Sequence, residues 1–166
     1  MNISIVVPVY NSSSIIDNLT KDILSVIKKI SDVNKIQLIL VNDCSTDESW
    51  EKISKLSTEY KETVIGINLM RNYGQHNAIM AGLRLADGDY IILIDDDYQH
   101  PPKEIPKILS KIKEGYDVCY TNYKNNTYSK LKIFGSWINK KISNILIDKP
   151  KSIYLYSYKC LTQKVL

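Results

Sequence analysis

The amino-acid sequence predicts an α/β fold, a mainly parallel sheet with helices on both faces. Apolar runs of strand length alternate along the chain with segments whose apolar residues recur at helical spacing, and the connections between them are short. Of the 166 residues, 44% are hydrophobic and 24% are charged, which is typical of a folded domain that buries a core.

Five strands are predicted where runs of apolar, often β-branched residues end at turn residues. They cover residues 3–9, 36–41, 64–69, 90–94 and 116–121. Four helices are predicted between these strands. The first begins after Ser14 and the second after Ser45 or Thr46, because these hydroxyl groups can cap free backbone N–H groups. The third covers residues 75–86, whose small side chains allow close packing on a sheet, and the fourth covers residues 102–114.

The last quarter of the chain carries two further features. Residues 128–147 combine apolar residues and Trp137 with four lysines, a pattern that suits an anionic membrane surface or a lipid phosphate. The alternative is a helix packed on its own domain with solvated lysines. Residues 160–166 are predicted to begin another helix, so we expect the chain to be a fragment whose missing part could hold membrane segments.

Composition argues against several classes of function. The net charge of +4 is small and does not indicate nucleic-acid binding. Three widely spaced cysteines predict neither a disulfide framework nor a zinc site, and they indicate a reducing compartment. The sequence shows no signal peptide and no apolar run of membrane-spanning length. Four side chains are predicted to be buried by default: Cys44, Trp50, Met70 and Met80.

Unusual polar residues follow four of the predicted strands. They are Tyr10 and Asn11, Asn42 and Asp43, Arg71 and Asn72, and Asp95, Asp96 and Asp97. Ligands of parallel α/β sheets bind at the carboxyl ends of the strands, so these loops are expected to meet at one edge. Adjacent carboxylates repel one another unless a cation or hydrogen-bond donors neutralise them, and Mg²⁺ or Mn²⁺ prefers oxygen ligands. An acidic, solvated turn is the alternative, which the convergence of four loops disfavours.

The chemistry of these residues predicts a site for a nucleoside diphosphate. Asp43 can accept a hydrogen bond from a base N–H, Tyr10 can stack on a ring, and Arg71 can pair with phosphate. The aspartates can hold a metal ion that bridges a diphosphate. His76 is expected to orient a loop at the start of its helix, and His100 is expected to border the metal loop without binding the metal. Neither GxGxxG nor GxxxxGK occurs, so the phosphate-binding loops of dinucleotide-binding and P-loop proteins are missing.

Four ordered motifs carry a family resemblance: VVPVYN at residues 6–11, VNDCSTD at 41–47, RNYGQHNAIMAGL at 71–83 and DDDYQHPP at 95–102. Together they resemble family 2 glycosyltransferases, most of all the bacterial polyprenyl-phosphate glycosyltransferases and dolichol-phosphate mannose synthases. The resemblance implies a single GT-A (Rossmann-like) domain over residues 1–166, incomplete at its C-terminus. Residues 1–121 would form the nucleotide-sugar-binding core and residues 122–166 an acceptor-side region.

The resemblance also implies a reaction. A sugar would move with inversion from a UDP- or GDP-sugar to a polyprenyl phosphate, with Mg²⁺ or Mn²⁺ as cofactor, at the cytoplasmic face of the cell membrane. Whether the protein forms a homo-oligomer stays an open question. Two alternatives also stay open, a family 2 transferase that modifies a glycan in solution and a fragment that binds a nucleotide sugar without turnover. A nucleotidyltransferase would need a glycine-rich, basic loop after the first strand, and residues 11–14 supply neither feature.

By the same resemblance, single residues receive roles. The nucleotide sugar would contact Pro8, Tyr10, Asn11, Asp43, Arg71, Gly74, Asp95 and Asp96. The metal would be held by Asp97, Asp95 and Gln99, with Asp95 and Asp97 catalytic, and the acceptor phosphate by Lys132, Lys140 or Lys159. Three positions depart from the family pattern: Ser12 stands where Glu is usual, Asn42 replaces the first Asp of a pair, and Asp96 fills a position that is commonly Ala.

Overall fold

The computed structural model describes residues 1–99, 101–121 and 158–166. Its sheet contains β1 (Asn2–Val9), β2 (Lys35–Asn42), β3 (Val64–Asn68), β4 (Tyr90–Leu93), β5 (Val118–Tyr120) and β6 (Lys159–Thr162). Its helices are α1 (Ile16–Ile27), α2 (Ser49–Glu59), α3 (Gln75–Leu83) and α4 (Ile105–Ile112), with short 3₁₀ turns at Pro102–Glu104 and Gln163–Val165. Met1–Tyr120 and Ser157–Leu166 form one compact unit. The functional division at residue 121 stays a prediction.

The strand order is β3-β2-β1-β4-β6-β5, in which the first four strands run parallel and β6 runs antiparallel to both of its neighbours. The predicted α/β class with a mainly parallel sheet is confirmed. The helix predicted for residues 160–166 is wrong, because Lys159–Thr162 form strand β6. Cys160 and Leu161 are buried there, since β6 lies between β4 and β5 and forms backbone hydrogen bonds with both.

Helices cover both faces of the sheet. On one face, α3 packs against β1 and β2, and a Cβ added to Gly82 would lie 2.4 Å from Val6 Cγ1, so the helix approaches the sheet as closely as the small residues predict. On the other face, Gly66 of β3 meets Ile53 and Trp50 of α2. None of the helices in the described part of the chain is long and apolar enough to cross a membrane.

The predicted helix caps are wrong, although both helices form. The N-cap residue of α1 is Ile15, and no side-chain hydrogen bond caps this helix. Helix α2 begins at Ser49, whose N–H donates to Asp47 Oδ1 at 3.0 Å. Ser45 and Thr46 instead contact the loop after β1: Ser45 Oγ accepts from the Asn11 N–H at 3.0 Å, and the Thr46 N–H donates to Asn11 Oδ1 at 2.8 Å.

Several predictions of burial also fail. Met70 is 96% exposed and Met80 is 55% exposed, because Met70 follows the edge strand β3 and Met80 points away from the sheet on α3. Cys44 is half-buried and has a left-handed φ of 57°. Cys119 and Cys160 are both buried and lie directly opposite each other in β5 and β6, where both are free thiols.

Candidate functional site

An open cavity of about 330 Å³ lies at the carboxyl ends of β1, β2 and β4. The residues that line it are Pro8, Val9, Tyr10, Asp43, Asn72, Gly74, Gln75, Asp95, Asp96 and Asp97. The structure therefore brings together most of the predicted donor-site residues. Of the predicted set, Asn11, Arg71 and Gln99 do not line the cavity.

The loop after β1 contributes an exposed ring and an anchored turn. Tyr10 is 48% exposed at the cavity, where its ring is available for stacking. Asn11 has a left-handed φ of 54°, and its hydrogen bonds to Ser45 and Thr46 hold it against the loop after β2. Asn11 thus supports the cavity from outside it.

Asp43 is a buried carboxylate, 3% exposed, at the end of β2. Its Oδ1 accepts the Tyr73 N–H at 2.8 Å, and its Oδ2 accepts the Gly74 N–H at 2.9 Å. Gly74 has a φ of 87°, which side chains other than hydrogen rarely tolerate. Asp43 therefore fixes the turn that begins α3, while each of its oxygens keeps a second lone pair for a further donor.

Arg71 lies near this turn but outside the cavity lining. Its guanidinium stands 4.7 Å from the centre of the Tyr73 ring, a cation–π arrangement on an exposed surface. The predicted contact between Arg71 and phosphate stays a prediction.

The three aspartates after β4 have different partners. Asp95 Oδ1 accepts from Gln75 Nε2 at 2.6 Å. Asp96 Oδ2 accepts the Tyr10 N–H at 3.0 Å and the Ser12 hydroxyl at 2.5 Å. Asp97 is exposed, and its Oδ1 accepts the Gln99 N–H at 2.9 Å. Backbone and side-chain donors therefore offset part of the repulsion among these carboxylates.

Two of the departures from the family pattern contact each other. Ser12 is buried, and its hydroxyl donates to Asp96, the aspartate at the commonly Ala position. The Asp96 carboxylate, in the loop after β4, therefore lies next to Ser12, the position in the loop after β1 where the family pattern has Glu. This contact ties the two loops together beside the cavity.

Tyr98 anchors the acidic loop on its other side. The residue has a left-handed φ of 57°, and its hydroxyl donates to Asp22 Oδ2 of α1 at 2.7 Å. Burial and then the hydrogen bond to Asp22 raise the pKa of Tyr98 from its ordinary 10.0 to about 12, so the phenol keeps donating in mildly alkaline solution as well as at neutral pH. The acidic loop is thus held by α1 as well as by the loop after β1.

The cavity has the donor chemistry for a hard divalent cation. Within the described ranges, no three Asp, Glu, His or Cys side chains form a set that could hold a metal ion by themselves. Mg²⁺ is usually held by one or two carboxylates together with substrate phosphates, however, and Asp95 and Asp97 supply two carboxylates to the same cavity. Gln99 is exposed, and its role as a metal ligand stays a prediction. His76 is exposed on the first turn of α3, and His100 lies outside the described residues.

Lys159 lies at the carboxyl ends of the parallel strands, where the cavity also lies. It opens β6, which runs antiparallel, and is therefore paired with Leu93 at the carboxyl end of β4. Its Nζ is 6.0 Å from the centre of the Tyr120 ring. Lys132 and Lys140, the other candidates for the acceptor phosphate, lie outside the described residues.

Sequence reasoning missed three residues that line the cavity: Val9, which ends strand β1, and the polar residues Asn72 and Gln75. The sequence predicts Asn72 at this end of the sheet without assigning it a role, and it predicts Gln75 only as the start of a helix. The two polar residues could have been found from their position in the sequence. A polar side chain at the start of a helix that follows a loop at the carboxyl ends of the strands lies close to the neighbouring loops.

Comparison with known proteins identifies the family. Residues 4–163 match the model of glycosyl transferase family 2. The chain belongs to this family. The resemblance inferred from the four motifs is therefore confirmed.

Among family 2 relatives, the chain is 37% identical over 162 residues to the undecaprenyl-phosphate 4-deoxy-4-formamido-L-arabinose transferase of Proteus mirabilis, covering 96% of this chain and 47% of that protein. It is 38% identical over 159 residues to the protein of the same name from Salmonella choleraesuis, covering 96% of this chain and 47% of that protein. The chain thus spans about half the length of these relatives.

Solved structures confirm the GT-A fold of this family 2 domain. Glucosyl-3-phosphoglycerate synthase from Mycobacterium tuberculosis, in complex with Mn²⁺, UDP-glucose and phosphoglyceric acid, matches with a TM-score of 0.72 at 16% identity, over 99% of this chain and 57% of that chain. A mannosyltransferase from Pyrobaculum calidifontis, in complex with GDP-Man and Mn²⁺, matches with a TM-score of 0.66 at 14% identity, over 98% of this chain and 45% of that chain.

Proposed function

We propose that this family 2 domain transfers a sugar, with inversion, from a nucleotide-diphosphate sugar to a polyprenyl phosphate. The observation that carries the proposal is the cavity where Tyr10, Asp43 and the acidic loop meet. The names of the relatives, which specify undecaprenyl phosphate, support the choice of acceptor. The cytoplasmic face of the cell membrane is the place where such an acceptor would meet a nucleotide sugar.

The donor would lie along the carboxyl edge of the sheet. The exposed Tyr10 ring would stack on the base, and Asp43 would accept a base N–H through a lone pair that the Tyr73–Gly74 turn does not use. Asp95 would reach the ribose or the metal. UDP and GDP both fit this donor chemistry, and both occur in the related structures.

A divalent ion, Mg²⁺ or Mn²⁺, would be held by Asp97 and Asp95 with help from Gln99, and would supply Lewis-acid stabilisation of the departing diphosphate. The two related structures that contain Mn²⁺ support this cofactor. Because a lipid phosphate is already an anion at neutral pH, the chain needs no strong general base, and its task is to position both substrates. Lys159, at the same edge as the cavity, would attract the acceptor phosphate.

The test compares two aspartate variants. Asp97→Ala is expected to lower transfer at least about a hundredfold, because it removes a group that acts where charge develops. Asp87→Ala is the matched control, since Asp87 is an exposed residue that pairs with Lys35 at the amino ends of the parallel strands, away from the cavity. Transfer of sugar from UDP- and GDP-sugars to polyprenyl phosphate is measured by mass spectrometry, and circular dichroism checks the fold.

Retained turnover of Asp97→Ala with Mg²⁺ would refute the assignment of Asp97. Wild-type protein that binds a nucleotide sugar in calorimetry but transfers nothing would favour a binding domain instead. Transfer to a soluble glycan but not to the lipid phosphate would favour the glycan-modifying alternative.

A further inference from the structure

The first residue of α3 contacts the acidic loop. Gln75 lines the cavity, and its Nε2 donates to Asp95 Oδ1 at 2.6 Å. We propose that Gln75 is a positioning residue that orients the Asp95 carboxylate for the nucleotide and its metal. The inference rests on the proposed function, since it assigns a role in the same donor site.

The amide donor sits on a rigid support. The turn before it is held by Asp43, and the N–H groups of Asn77 and Ala78 donate to the Gly74 carbonyl at 3.0 and 3.1 Å. Further along α3, Gly82 lies against Val6 of β1. The backbone of Gln75 is thus held in place by the packing of α3 on the sheet, and the exposed side chain reaches Asp95 from this anchored position.

The kind of donor matters as much as its position. Asp96 is held by Tyr10 and Ser12, and Asp97 accepts from a backbone N–H of its own loop. The contact from Gln75 comes to Asp95 from another element, helix α3, and this donor is a neutral amide. An amide directs one carboxylate oxygen without cancelling the negative charge, whereas a lysine there would compete with a cation. Gln75 therefore orients Asp95 without itself neutralising the carboxylate.

If Gln75 served only as the first residue of α3, a different experimental result would be expected. Gln75→Met keeps the length of the side chain and a good helix former but removes the donor, so a merely structural residue would tolerate it. Gln163→Met is the matched control, because Gln163 is exposed and its N–H donates to the Asp89 carbonyl at the opposite edge of the sheet. Asp95→Asn tests whether Gln75 acts through Asp95.

The experiment measures binding of UDP and GDP in the presence of Mn²⁺ by calorimetry. Hydrogen bonds to charged groups contribute enough that Gln75→Met is expected to weaken binding about tenfold, while Gln163→Met leaves it unchanged. In the Asp95→Asn background, Gln75→Met is expected to add little further loss, since two residues that act through one contact are not additive. The thermal midpoints of all variants should stay close to that of the wild type.

Three outcomes overturn the inference in distinguishable ways. If the wild type binds a nucleotide and Gln75→Met binds it equally well, the positioning role is wrong and the proposed function stands. Full additivity with Asp95→Asn would show that Gln75 does not act through Asp95. If the wild type binds neither UDP nor GDP, the proposed function fails and the inference fails with it.

Discussion

Replacing Asp43 by Asn tests the turn at the start of α3. The side chain is 3% exposed, and its two oxygens each accept one backbone N–H, from Tyr73 at 2.8 Å and Gly74 at 2.9 Å. Asp43→Asn preserves the shape but turns one acceptor into an NH₂ group that faces an N–H. One hydrogen bond to a charged group is lost, which costs about 1.5–3 kcal/mol.

The loss should be local and measurable. The Gly74 N–H also donates to Asn72 Oδ1 at 3.0 Å, so the remaining oxygen of Asp43→Asn is expected to stay with Tyr73. Hydrogen exchange at the backbone amides of the turn should accelerate about tenfold or more, and nucleotide binding should weaken with it. Asp87→Asn, at an exposed ion pair, is the control. Unchanged exchange at Tyr73 and Gly74 would refute the role of Asp43 in holding this turn.

Three further predictions concern stability. Gly82→Ala should lower the unfolding free energy by about 1–3 kcal/mol in denaturant titration, because the added methyl group would lie 2.4 Å from Val6 Cγ1; unchanged stability would disprove this close approach. Burial opposes the ionisation of Asp47, but hydrogen bonds from the Ser49 and Ser13 groups lower its pKa to about 2, below the ordinary 3.8. The stabilisation is therefore complete above about pH 4, and the advantage of the wild type over Asp47→Asn in urea titrations should shrink as the pH falls toward 2. Tyr98→Phe removes the bond to Asp22 and should cost about 1 kcal/mol in thermal unfolding, whereas an unchanged midpoint would show that this anchor is dispensable.

The strands that could be predicted are those whose burial is visible in local pattern. β1 and β2 are continuous apolar runs, and α3 has the small residues that close packing requires, so each was predicted near its observed place. β6 could not be predicted in this way. Its four residues become a strand because β4 and β5 offer unpaired backbone groups on either side, which no local pattern records.

The candidate site was likewise predictable from the sequence only in part. The loops that meet at the carboxyl edge follow from strand–helix alternation, and family motifs pointed to Asp43 and Asp97. Exposure of Met70 and Met80 was missed, because apolar character indicates a tendency to be buried and says nothing about which face of an element the protein covers.

By itself, the sequence determined the α/β class, the edge where polar loops gather and the family, because periodicity and motifs are local properties of the chain. Only the tertiary structure decided which polar groups meet. Ser12 and Asp96 are 84 positions apart, and Gln75 and Asp95 are 20 apart. A hydrogen bond needs two atoms at a set distance and angle, and that condition is met only once β1, α3 and β4 pack side by side.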